Sequence, residues 1–293
     1  MEAKARSLLE TMARHGTTTV EAKTGSGTDE IAECKLLRVL SGLQGQPLDV
    51  VPSFLCRLPH DDAAAALNWI TSAFLPKIYR RKAACFADVV CNGEPRYLPL
   101  YDRYLQSARA IGFACKLHAA TRQTGEAIEL AIRHRVVSID HLEHASPEDA
   151  RHIADAGLIA ALFPIACFFE GGPKPPARAL IDAGAAVVIA TDFDPQASTT
   201  VNMQAAMALA CIHFGMSIEE AISAATINAA YALGRGNLIG SLEPGKLADL
   251  VVLNVSSYQD LRNSFGTNVV HQTIKSGKVI YQEAQITPRP SLR

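Results

Sequence analysis

Seven short runs rich in β-branched, aromatic and small apolar residues recur along the chain, each followed by a helix-like stretch. They lie at 17–22, 48–56, 86–91, 114–118, 136–141, 158–163 and 186–192. Strands that alternate with helices pair in parallel through right-handed crossovers, and burial on both faces explains continuous apolar runs such as Ala186-Val187-Val188-Ile189-Ala190. The chain is therefore expected to be α/β, built as a (β/α)8 TIM-like barrel or as a doubly wound sheet. His118, His141 and Asp192 each stand at the last position of a run. In a barrel those strand ends carry the reacting groups, so the barrel is the better expectation. It is one strand short, because a closed barrel of this kind needs eight.

Helix signals separate the runs. Ser146 is placed to cap a helix with Pro147 at its first position and Gly157 at its end. Ser217 and Glu220 form a capping box ahead of a stretch reaching Leu233. From Gly234 the pattern turns strand-like and turn-rich, with a strand at 248–253 and a hairpin of 269–274 and 279–281 around Ser276-Gly277-Lys278. The expected division is a barrel over 1–238 and a small β appendage with its tail over 239–293, the last residues, 287–293, being loose.

Composition narrows the function. Lys+Arg 28 against Asp+Glu 29 leaves a net charge of -1, which excludes binding nucleic acid by phosphate neutralisation. Hydrophobic residues at 48% with charged residues at 19% exclude a disordered chain. No apolar run approaches the ~20 residues of a membrane span. The seven cysteines are scattered and hold no CxxC pair, which argues against a disulfide framework or a thiolate zinc site. They read as buried thiols of a cytoplasmic protein, with Cys56, Cys85, Cys115 and Cys167 in or beside apolar runs. The start MEAKARSLLE carries no mark of export. A small-molecule substrate is the expectation that remains, with neither nucleic acid nor membrane as partner.

Most of the nine histidines, namely His15, His60, His134, His152, His213 and His271, lie in polar or helix-like contexts and read as surface or capping groups. His118 and His141 differ because they share strand tips with Asp192. Two imidazoles and a carboxylate suit zinc or a similar divalent ion, which lowers the pKa of a bound water toward ~7 while a nearby His or Asp moves protons. That is hydrolytic chemistry.

The segments Gly16 to Gly25 (GTTTVEAKTG), Lys116-Leu117-His118-Ala119, Ser138-Ile139-Asp140-His141-Leu142-Glu143, Ala190-Thr191-Asp192-Phe193-Asp194-Pro195, Thr226 to Gly234 and Gly240 to Asp249 resemble the amidohydrolase superfamily. Within it they are most similar to the imidazolonepropionase family, which hydrolyses the cyclic amide of 4-imidazolone-5-propanoate to N-formimino-L-glutamate in histidine degradation. The resemblance implies one zinc or iron ion. It makes His118 a metal ligand from barrel strand five, Asp192 the ligand and proton acceptor from strand eight, and His141 the proton shuttle from strand six.

The family's other two ligands come from an HxH on strand one, and this sequence contains no HxH. The strand and ligands lacking are the same, so the chain is expected to begin about a hundred residues late relative to the family and to bind its metal weakly.

The pocket also departs from the pattern. Ser26 stands where the family has Tyr, Leu58 where it has a substrate-contacting His, Thr121 where it has Gln or Glu, and Asp194 where it has Asn. His60, two residues past Leu58, is a possible substitute. Thr121, Asp194 and Glu143 are the expected substrate contacts. These departures keep open a non-catalytic homologue or an amidohydrolase or deaminase of altered specificity. An open barrel with exposed edges is also expected to form homo-oligomers.

Overall fold

In the structure, a computed structural model, residues 2–25, 29–119, 122–195 and 198–284 are described. The seven runs become seven parallel strands: β1 Thr19–Lys23, β2 Asp49–Cys56, β3 Phe86–Val90, β4 Ala114–His118, β5 Ser138–Asp140, β6 Ile159–Leu162 and β7 Ala186–Ile189. They are hydrogen-bonded in sequence order from β1 to β7. The strand twist accumulates in one sense, so the sheet curls into a half-barrel with helices outside, leaving β1 and β7 as its two edges.

The core lies between the sheet's outer face and the helices. Phe54 and Tyr104 are wholly buried there, and Phe74 meets Phe54 edge-on at 5.3 Å between ring centres. The inner face carries the alternate residues, and several of these are charged. Glu21 and Lys23 of β1, Asp88 of β3, Lys116 and His118 of β4 and Asp140 of β5 all point inward, as their mutual contacts require.

Two strands stop earlier than the apolar runs suggest. Arg135 (φ 48°) closes the preceding helix, β5 spans only Ser138–Asp140, and His141 (φ 61°) follows at once. β7 ends at Ile189, and Asp192 (φ 49°) lies in the loop beyond it. A left-handed residue cannot continue a ladder. His141 and Asp192 therefore stand just past their strands, not at the last strand position.

Ser146 caps its helix as expected, in a box closed by Asp149, and the predicted capping box of Ser217 with Glu220 forms. The stretch after Ser217 is two helices, Ile218–Ala225 and Ile227–Ala232, broken at Thr226, whose hydroxyl turns back to the Ile222 carbonyl at 2.7 Å.

The tail forms an antiparallel sheet of β8 Leu250–Leu253, β9 Val270–Lys275 and β10 Lys278–Gln282, in the order β10-β9-β8. The helix Glu2–Arg14 lies against it, and the Thr273 hydroxyl donates to the Ala13 carbonyl at 2.7 Å. The buried Lys275 ammonium ties the small sheet to the barrel, sitting 2.6 Å from Asp249 and 3.0 Å from Asp49. The expected loose end, 287–293, lies outside the described residues. Among the described residues no helix is long and apolar enough to cross a membrane.

Five of the cysteines are buried, but Cys85 is exposed and Cys34 only partly covered, correcting the expectation of buried thiols throughout. Cys85 precedes β3, and its backbone N–H is held by the Pro52 carbonyl at 2.7 Å while its side chain looks outward. A thiol reagent applied to the native chain is expected to modify Cys85 first, with Cys56, Cys115 and Cys167 reacting only on unfolding. Mass-spectrometric mapping of the labelled peptides checks the order.

Candidate active site

The inner face of the half-barrel opens onto a cavity of ≈ 1580 Å3. His118, His141, Glu143, Asp192 and Asp194 all border it. Thr121 and Ser26 lie outside the described residues. Leu58 packs against the hydrophobic core, and it is its neighbour Arg57 that borders the cavity. His60 cannot take the place of a cavity histidine, since its side chain is 75% exposed and meets Asp61 and Arg96 instead. Two other histidines also depart from the surface reading. His134 is buried, bonded to Asp102 at 2.9 Å, and His15 borders the cavity.

On the sheet's concave side, β1 faces β4. Lys116, 2% exposed, reaches Glu21 at 2.8 Å, and its ammonium lies 4.4 Å from the centre of the Phe86 ring. The Ser53 hydroxyl donates to the other oxygen of Glu21. Two residues further along the same strands, the pattern repeats with different groups. The Lys23 ammonium sits 2.6 Å from Asp88 and 2.5 Å from Asp140. The same two carboxylates hold His118, whose Nδ1 is 3.2 Å from Asp88 and 3.5 Å from Asp140.

Burial opposes charge on Asp88, Asp140 and Lys23, but mutual attraction outweighs it. Asp88 and Asp140 are held below the ordinary carboxylate range by Lys23 and then His118, and Lys23 is raised well above the ordinary amine range by Asp140 and Asp88. Stability follows directly. The lowered carboxylates stabilise fully above their unfolded pKa of ~3.9 and lose that as pH falls through the folded values; the raised amine stabilises fully below ~10.4 and loses it as pH rises through its folded value. A melting temperature that is level between about pH 5 and 9 and drops on both sides is expected from this cluster, measured by thermal scans across pH.

His141 lies over the cavity rim with its ring 4.6 Å from that of Phe163 and 5.2 Å from that of His118. Its Nδ1 is 3.7 Å from Glu143 and its Nε2 3.8 Å from Asp192, within ion-pair range but too long for direct hydrogen bonds. Burial pushes the imidazole pKa down, yet Glu143 and Asp192 together raise it. Glu143 also accepts from the Cys167 thiol at 3.4 Å. A protonatable ring between two carboxylates can accept a proton and return it.

The residue types present fit a divalent cation. Asp88, His118 and Asp140 place ligand atoms within 4.8 Å of one another, the only such group of three among the described residues. Lys23, Asp88 and Asp140 were not singled out in the sequence. The one available signal was an acid inside the otherwise apolar run Phe86-Ala87-Asp88-Val89-Val90.

Comparison with known proteins agrees with the fold. A profile of the Amidohydrolase family matches residues 1–281. The imidazolonepropionase of Geobacillus kaustophilus is 40% identical over 278 residues, 93% of this chain and 66% of that protein. That of Clostridium tetani is 38% identical over 96% of this chain and 68% of its own length. The chain thus spans about two thirds of the relatives it matches. Among solved structures, a triazine hydrolase variant superposes with a TM-score of 0.78 at 16% identity, covering 96% of this chain and 71% of the other. An adenosine deaminase from Xanthomonas campestris with bound zinc gives 0.70 at 17% identity, covering 95% and 69%. The profile match and the curated relatives together show that the chain belongs to the amidohydrolase family, where its sequence groups with the imidazolonepropionases.

Proposed function

We propose that the chain carries the ring-opening machinery of a metal-dependent cyclic-amide hydrolase, acting on 4-imidazolone-5-propanoate or a close analogue to give N-formimino-L-glutamate. The observation that carries this is the meeting of His118, His141 and Asp192 on one cavity in a chain 40% identical to an imidazolonepropionase over 278 residues. His118 and Asp192 would hold one zinc or iron ion, weakly for want of an HxH partner. Bound there, a divalent ion supplies an activated water and polarises a carbonyl.

The protein's own part is proton traffic and placement. Asp192 takes the proton of the attacking water. His141, raised in pKa by Glu143 and Asp192, passes a proton to the ring nitrogen as the amide C–N bond breaks. Thr121, Asp194 and Glu143 are the proposed substrate contacts. The proposed setting is cytoplasmic, with a small-molecule substrate and self-association through the open sheet edges. The proposed boundary between barrel and appendage lies at 238/239.

The test is a turnover assay of the purified full chain with added Zn(II) or Fe(II), following loss of the imidazolone. His141→Ala and Asp192→Asn are each expected to reduce turnover by at least ~10²-fold, the usual worth of a general acid or base. Turnover indifferent to both substitutions, or none with either metal, would overturn the reading.

A further inference from the structure

Asp88, His118 and Asp140 have the composition of a cation site, yet the chain already places a cation among them. Lys23 Nζ lies 2.6 Å from Asp88 Oδ2 and 2.5 Å from Asp140 Oδ2. The remaining two oxygens are also engaged: Asp88 Oδ1 by His118 Nδ1 at 3.2 Å, and Asp140 Oδ1 by the Ser138 hydroxyl at 3.3 Å. Both carboxylates are essentially buried, so each depends on these partners for its solvation. With the ammonium within 2.6 Å of an oxygen of each acid, a metal ion bridging the two carboxylates would have to displace it.

We propose that Lys23 is the resident cation of this cluster, closing it to divalent metal and fixing His118 as an Nδ1–H donor to Asp88 and Asp140. The cluster is then a clamp, and Lys23 and the two acids are positioning residues. Among the described residues His118 Nε2 has no hydrogen-bond partner, and His118 borders the cavity, so the clamp leaves Nε2 as the nitrogen available to a ligand. A histidine whose second nitrogen donates to a carboxylate is fixed in tautomer and orientation and is the stronger ligand for it. Lys23 also carries what a mobile ion cannot. It is tethered to β1, so the charge balance of two buried carboxylates is built into the backbone register of the sheet.

The inference goes beyond the proposed reaction and rests on it only in naming Nε2 as the ligand nitrogen. Its test uses Co(II), titrated into the full chain and followed by visible absorption and calorimetry. Lys23→Met is expected to bind one cobalt equivalent per chain more than the wild type. The double variant Lys23→Met/Asp140→Asn is expected to lose that equivalent again. Equal cobalt stoichiometry in the wild type and a folded Lys23→Met would overturn the proposal.

Should Lys23→Met not fold, the wild-type ring decides alone. Nitrogen-15 spectra of histidine-labelled protein, with the His118 signals identified from a His118→Gln sample, are expected to show protonated Nδ1. A ring protonated only at Nε2 would overturn the clamp. Cobalt count and tautomer read the clamp while turnover reads the reaction, so either can fail without the other.

Discussion

Asp88→Ala is expected to lower the unfolding free energy by about 3–5 kcal/mol, the range found when one member of a buried ion pair is removed and the other is left behind. Asp88 is 0% exposed and holds two partners at once, the Lys23 ammonium and the His118 imidazole. Its loss leaves Lys23 with Asp140 alone, the Lys23 side chain being 21% exposed. It also removes the closer acceptor of His118 Nδ1. Asp88→Asn keeps the shape and one acceptor oxygen but not the charge, so a smaller loss is expected from it. Denaturant unfolding of the two variants beside the wild type checks the order. A loss under about 1 kcal/mol for the alanine variant would mean that cavity water solvates the ammonium as well as the carboxylate does.

The neighbouring pair behaves differently when both members are changed. Glu21→Leu alone is expected to cost a similar ~3–5 kcal/mol, because it leaves Lys116, 2% exposed, with the face of Phe86 as its main compensation. Adding Lys116→Met removes the stranded charge and leaves an apolar side chain against Phe86. The double variant is expected to return to within about 1 kcal/mol of the wild type or to exceed it. A double variant no more stable than Glu21→Leu would show that this pair stabilises the fold by its charges rather than merely satisfying itself. The two layers thus separate on chemical grounds. The Glu21–Lys116 pair is expected to be replaceable by hydrocarbon, while the Lys23 cluster also orients the His118 ring.

Much of the fold was legible because strand and helix alternate on apolar periodicity alone, and the Ser146 and Ser217 boxes mark helix starts by local chemistry. What escaped depends on contacts distant in sequence. Lys23 and Asp140 are 117 residues apart, and no local pattern tells that one neutralises the other. The end of β5 was placed one residue late because nothing in the sequence marks the left-handed turn at His141, and that of β7 because its apolar run continues past Ile189, where the ladder stops. Leu58 and His60 were assigned to the pocket by alignment of motifs, whereas the chain after β2 turns Leu58 onto the core and His60 into solvent.

The positive φ of His141 and Asp192 limits how this rim can be re-engineered. At 61° and 49°, both positions disfavour valine, isoleucine and threonine on steric grounds and are most comfortable with glycine, asparagine, aspartate or histidine. Substitutions at either site outside that short alphabet carry a backbone cost of about 1–2 kcal/mol before any chemistry is gained. New reactivity is therefore more accessible through residues that reach the cavity from ordinary backbone.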